Sequence, residues 1–261
     1  MPGRYIAVVW GAALLAIVSG AFITSSKIGL SPAQPVPSST LHITIAILAL
    51  LLAVALCIVP NARQVRMAAW LGFASLVLSG AVGAMSPLSP WRVVFHAVFA
   101  HVSLVLITTA AVLSSLATIK PEPAAPGSWT ALRPMALITP PAVLLQITMG
   151  ALYRHEITGV MPHMLGAMIV AILTLVVSVI LLQNFRNSRQ LTNSATALIS
   201  IVLVQVCLGI AVFIMLLLGV GSGPIFAWLA TAHVTVGALT FAASVVTAIY
   251  VKRFIADRST G

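Results

Sequence analysis

The chain has 261 residues, 61% of them hydrophobic and only 6% charged, with a mean hydropathy of +1.15. A soluble domain carries about a quarter of its residues as Asp, Glu, Lys and Arg, so these figures exclude a soluble globular protein and, equally, a disordered one. Thirteen basic residues against three acidic give a formal charge of +10, but the basic residues fall between apolar runs and form no stripe, so the excess reflects membrane topology and not a nucleic-acid partner.

Stretches of about 17 to 25 apolar residues bounded by charges or by Pro and Gly clusters mark helices that cross a bilayer. Eight such spans are predicted, at 5–23, 41–60, 67–85, 93–119, 134–153, 162–183, 194–218 and 225–251, which makes this an all-α integral membrane protein. Arg4 precedes the first span as it would in a signal peptide, but that span is long for such a segment and no small-x-small cleavage site follows it. Sorted by loop, Arg4, Arg63, Arg66, Lys120, Arg133, Arg186, Arg189, Lys252, Arg253 and Arg258 fall on one side, and Lys27, Arg92 and Arg154 on the other. The positive-inside rule then puts both termini in the cytoplasm of a bacterial-type inner membrane. Cys57 and Cys207 lie inside apolar runs and read as buried small hydrophobes, not as a disulfide.

The spans repeat. Ala100-His101-Val102-Ser103 in span 4 reads again as Ala232-His233-Val234-Thr235 in span 8; Gly20-Ala21 closes span 1 and Gly150-Ala151 closes span 5, with Gly29 and Gly159 following; and His42 falls opposite His163. Four spans per copy is an even number, so both copies enter the membrane in one direction and should form two pseudo-symmetric four-helix bundles side by side. The predicted domains are 1–119, a cytoplasmic linker at 120–133, and 134–261.

The repeated histidines are the candidate functional residues. In each copy one lies at the start of the second helix (His42, His163) and one farther into the fourth (His101, His233), with no acid in either span to pair with. An ionisable side chain inside a membrane span marks function by default. Two imidazoles on different helices at one depth are what an iron porphyrin needs on its two faces, and Gly20, Gly80, Gly150 and Gly209 would let the ring approach. Haem propionates would then point to Lys27, Arg92 and Arg154. Zinc is disfavoured because no Cys or carboxylate lies near enough to complete four ligands, whereas a proton path and plain hydrogen bonding stand as alternatives. His96 is offset from the His101 face and reads as an interfacial residue or a haem-edge contact; His155 reads as a solvated residue beside Arg154 and Glu156. Gln146 and Gln205 each precede a glycine by four residues in the second copy and read as interhelical hydrogen-bonding groups, with Ala16 and Leu76 in those places in the first.

The pattern Gln146-x-x-x-Gly150-Ala151-x-x-Arg154-His155, with Gly159 and His163, and the pattern Gln205-x-x-x-Gly209 leading to Trp228-Leu229-Ala230-x-Ala232-His233, resemble the haem (heme) A synthase family. The match is good over about 120 residues of the second half and weak in the first. The resemblance implies an oxidoreductase that converts a methyl group of haem O to the formyl group of haem A, with haem b ligated by His163 and His233 in the carboxy-terminal bundle and the substrate haem facing His42 and His101 in the other. It implies cofactor contacts at Gly150, Gly209 and Arg154, and as partners the lipid bilayer, the haem substrate, and an electron donor or membrane complex; self-association is left open. Two family positions differ: the glutamate assigned a catalytic role is Ser39, and the arginine after the first histidine is Ile43. The family's paired loop cysteines have no counterpart. A di-haem b electron-transfer subunit or membrane anchor without haem-modifying activity is the alternative.

Overall fold

A computed structural model describes residues 2–27, 39–58, 62–85, 89–116 and 131–255. They form eight α-helices, α1 (Pro2–Lys27), α2 (Thr40–Ile58), α3 (Arg63–Ala84), α4 (Pro90–Leu116), α5 (Leu132–Arg154), α6 (Met161–Asn184), α7 (Arg189–Leu217) and α8 (Gly223–Phe254), and no strand occurs among the described residues. All eight are long and apolar enough to cross a membrane, so the chain is a multi-pass membrane protein. Helix is the outcome that such composition permits, because a chain in hydrocarbon must satisfy its backbone N–H and C=O groups within each segment. Gly29, Lys120, Glu122, Asp257, Arg258 and linker residues 120–130 lie outside the described residues.

Side-chain hydroxyls inside the helices are satisfied in the same local way. Thr108, Thr148, Thr174, Thr235 and Thr240 each donate to the carbonyl one turn back, at 2.8–2.9 Å, which lets buried polar groups face neighbouring helices without loss. Helix starts use proline where a backbone N–H would have no partner, at Pro90, Pro162 and Pro224.

In the first half α1 packs on α2 and α4, and α3 on α2 and α4; in the second, α5 packs on α6 and α8, and α7 on α6 and α8. The halves meet where α8 lies against α1 and α4, and α5 against α4. Ile6, Val9, Ala53, Leu56, Leu76, Leu104 and Ile107 make one apolar cluster, and Leu132, Val177, Leu181, Leu191, Ala195 and Val251 another. Both lie towards the end where odd-numbered helices begin. The opposite end, called upper here, is where odd-numbered helices finish and even-numbered ones start, and it holds the histidines.

Candidate functional site

At the upper end the histidine rings form two pairs of nearly the same geometry. The centroids of His163 and His233 are 6.2 Å apart with the rings at 86°. Those of His42 and His96 are 6.0 Å apart at 82°. His96, and not His101, therefore stands opposite His42. His101 is buried farther down α4, with its Nδ1–H donated to the Ala97 carbonyl at 2.7 Å.

The misplacement has a physical origin in how far the helices overrun the site. Helix α7 continues from Gly209 to Leu217 and α8 starts at Gly223, well before His233, whereas α3 stops at Ala84 and α4 starts at Pro90, much nearer His96. Distance from a helix start is therefore no measure of depth, and the matching Ala-His-Val sequences at His101 and His233 sit at different heights. In the structural register His96-x-x-x-Ala100 lies opposite His233-x-x-x-Gly237.

Each ring rests on a glycine. A Cβ built on Gly20 would come within 3.0 Å of His42 Cε1, on Gly150 within 2.8 Å of His163 Cε1, and on Gly209 within 3.0 Å of His233 Cε1. The fourth cradle is Gly83, where a Cβ would lie 2.8 Å from His96 Nδ1; Gly80, expected in that role, has nothing near it. At Gly150 and Gly83 real Cβ atoms essentially never approach so closely, and at Gly20 and Gly209 the contact is tighter than nine in ten, so a missing side chain is what gives these rings their room. Gly150→Ala is expected to push His163 off its seat and to weaken a ligand held by that ring about tenfold or more, the size of effect seen when a supporting residue of a metal ligand is lost. Gly11→Ala, where a Cβ meets nothing within 4 Å, is the matched control, and absorbance titration of bound haem distinguishes the two.

The rings are held by polar neighbours four or fewer residues from those glycines. Ser19 Oγ donates to the Ala16 carbonyl at 3.1 Å and lies 3.0 Å from His42 Nδ1, so its lone pair accepts the Nδ1–H. His96 Nδ1–H donates to the Ser79 carbonyl at 2.8 Å, and Ser79 Oγ donates to the His96 carbonyl at 2.9 Å. Both rings of this pair thus keep their Nε2 lone pairs free. In the other pair Gln146 Nε2 lies 2.9 Å from His163 Nδ1 and 2.8 Å from the His163 carbonyl, and Gln205 Nε2 lies 3.4 Å from His233 Nε2. An amide carries a donor and an acceptor at nearly superimposable ends, so either glutamine can serve either imidazole tautomer. The first half does hold a counterpart to Gln205-x-x-x-Gly209: it is Ser79-x-x-x-Gly83, a pattern hidden because serine is common in membrane helices.

Unsatisfied groups gather at the second pair. Gln146 Oε1, Gln205 Oε1, His233 Nδ1 and Arg154 Nε are all buried without a hydrogen-bond partner. A buried polar group without a partner is costly, and such a cluster marks a place built for something more than these side chains. Arg154 does not face an open rim as expected; its Nη2 crosses to α1 and donates to the Ala21 carbonyl at 2.9 Å and to Ser25 Oγ at 2.5 Å. His155 is half-buried and not solvated. Burial, and then the adjacent Arg154 charge, hold its imidazole down at about 4, so it is neutral at neutral pH. Lys27 and Ser39 are exposed, and the Ser39 carbonyl accepts the Ile43 N–H at 2.9 Å as α2 begins.

The donor set selects among ligands. Among the described residues no three His, Cys, Asp or Glu side chains converge on a point that could hold a metal ion. Two opposed imidazoles suit an iron whose other donors come from a macrocycle. An imidazole nitrogen binds a first-row metal at about 2.0 Å, and a five-membered ring of bonds near about 1.3 Å has its centroid about 1.1 Å from each atom. Two imidazoles facing across one metal ion then have centroids about 6.2 Å apart, close to the separations in both pairs. No family model matches the chain, and no curated protein matches it.

Proposed function

We propose that this chain is a haem-binding membrane oxidoreductase of the haem A synthase type, built as two pseudo-symmetric four-helix bundles. The observation that carries the reading is the pair of pairs: imidazoles 6.0 and 6.2 Å apart, each at nearly a right angle to its mate and each seated on a glycine. The same order of helix neighbours in both halves supports the pseudo-symmetry. His163 and His233 would hold haem b, and His42 with His96 would hold the haem that is modified. A haem so held supplies one-electron chemistry at its iron.

The chain's own residues have defined tasks in this reading. The glycines admit the rings, the serines and Gln146 hold the Nδ1 side of three rings while Gln205 stands beside His233 Nε2, and the apolar clusters below close off the other end to water. A partner on the Nδ1 of His42, His96 and His163 raises the basicity of the opposite ring nitrogen and fixes which nitrogen faces the metal. The substrate would be haem O, with one methyl group oxidised to the formyl group of haem A. In the membrane, Arg4, Arg63, Arg66, Arg133, Arg186, Arg189, Lys252 and Arg253 lie at the lower end and Lys27, Arg92 and Arg154 at the upper, which supports cytoplasmic termini; a bacterial-type inner membrane goes with the haem A synthase reading.

One observation favours a second reading, a di-haem b electron-transfer subunit. The position three residues before His42 is the exposed Ser39, and Glu156 is the one acidic residue among those described, so among them no carboxylate stands one turn before His42 as a proton acceptor. Co-expression with a haem O source followed by pigment extraction separates the two. Haem A in the extract is the outcome for a synthase; haem O with no formyl product rejects that activity and leaves electron transfer. Ser39→Glu, one turn before His42, is expected to raise the haem A fraction about tenfold or more, at the low end of what a positioned general base contributes.

A further inference from the structure

Arg154 is the last residue of α5, one turn beyond Gly150, the seat of His163. Its side chain leaves that half of the molecule. Nη2 donates to the Ala21 carbonyl at 2.9 Å and to Ser25 Oγ, and Ala21 is the neighbour of Gly20, the seat of His42. Ser25 donates its own proton to the Ala21 carbonyl at 2.7 Å, so its lone pairs are what Arg154 meets. Thr231 of α8, two residues before His233, approaches the same Ser25 Oγ at 3.4 Å. The joint is capped by Phe22 of α1 against Trp228 of α8, with ring centroids 4.6 Å apart. One guanidinium thus touches the helix that seats His42, belongs to the helix that seats His163, and shares an acceptor with the helix that carries His233.

Its hydrogen-bond acceptors are neutral. The protein acceptors on Arg154 are a carbonyl and a hydroxyl, and its Nε is buried with no partner. A buried cation without a carboxylate partner is a costly arrangement, and its field is weakly screened where water is excluded. A fixed positive charge favours the form of a nearby redox centre that holds one more electron. We propose that Arg154 is a positioning residue that couples the two imidazole pairs, carrying its charge and its hydrogen bonds from the helix that seats His163 to the helix that seats His42. This rests on the haem-binding reading above.

The test is a redox titration of the full chain in lipid nanodiscs, loaded with haem b, with the two one-electron waves assigned through His42→Ala and His163→Ala. Arg154→Gln is expected to move both waves to lower potential, by about a tenfold change in the reduction equilibrium, which is about 59 mV for one electron. A shift in one wave alone, or in neither, overturns the coupling. Should Arg154→Gln fail to load haem, Ser25→Ala carries the test, because it keeps the charge and lies on the first half's helix. It is expected to move the wave of the His163–His233 pair, and an unmoved wave overturns the proposal. A wild-type chain that loads no haem overturns the haem-binding reading itself, a result distinct from loaded haem with unlinked potentials.

Discussion

Alanine at His163 or at His233 is expected to remove the b-type haem spectrum of the second pair, with membrane insertion unchanged. Loss of a mere supporting group costs metal sites about 10- to 100-fold in affinity, and loss of a ligand itself costs at least that. Either change leaves the opposite imidazole alone across a gap of 6.2 Å. Neither variant threatens the fold, because the apolar cluster of the second half, Leu132, Val177, Leu181, Leu191 and Val251, lies at the other end of its helices. The measurement is the number of haems per chain from the pyridine haemochrome, beside the yield of protein from the membrane. Full haem content in both variants would remove His163 and His233 as ligands.

Gln146→Leu and Gln205→Leu give the finer version of the same experiment. Each removes the amide beside an imidazole and also the buried Oε1 that has no partner. Haem should still bind, with a weaker grip and a shifted potential, because the ligand stays while its support goes.

Sequence reading found the helices almost to their ends, since hydropathy alone decides what can span a bilayer: span 162–183 became Met161–Asn184, and span 41–60 became Thr40–Ile58. The second pair was equally legible, because His163 and His233 stand beside glutamines spaced from glycines. The first pair was not. Two histidines five residues apart on α4 compete for one role, and the one with the better local match, in Ala100-His101-Val102-Ser103, is not the one whose ring stands by His42. A signal existed in Ser79-x-x-x-Gly83, whose serine and glycine take the parts of Gln205 and Gly209. The reach of Arg154 to a carbonyl 133 residues away left no trace in local sequence, because it depends on how α1 and α5 meet α8 in three dimensions.

The two α4 histidines therefore give the sharpest contrast within one helix. His96→Leu should empty the first pair of haem, and His101→Leu should leave it loaded. The His101 ring is buried with its Nδ1–H on the Ala97 carbonyl, which also accepts the helix's own N–H one turn on. Leucine of similar volume leaves that carbonyl satisfied and places an apolar group in an apolar setting, a change that ordinarily costs less than about 1.5 kcal/mol. His96 lies 6.0 Å from His42 with its Nε2 lone pair free, so its loss takes one face of the site with it. The repeat in the sequence predicts the opposite outcome, with His101 as the ligand. Haem counted per chain in the two variants decides between local sequence match and cradle geometry as the guide to this site, since only one of the two can lose a haem on its own.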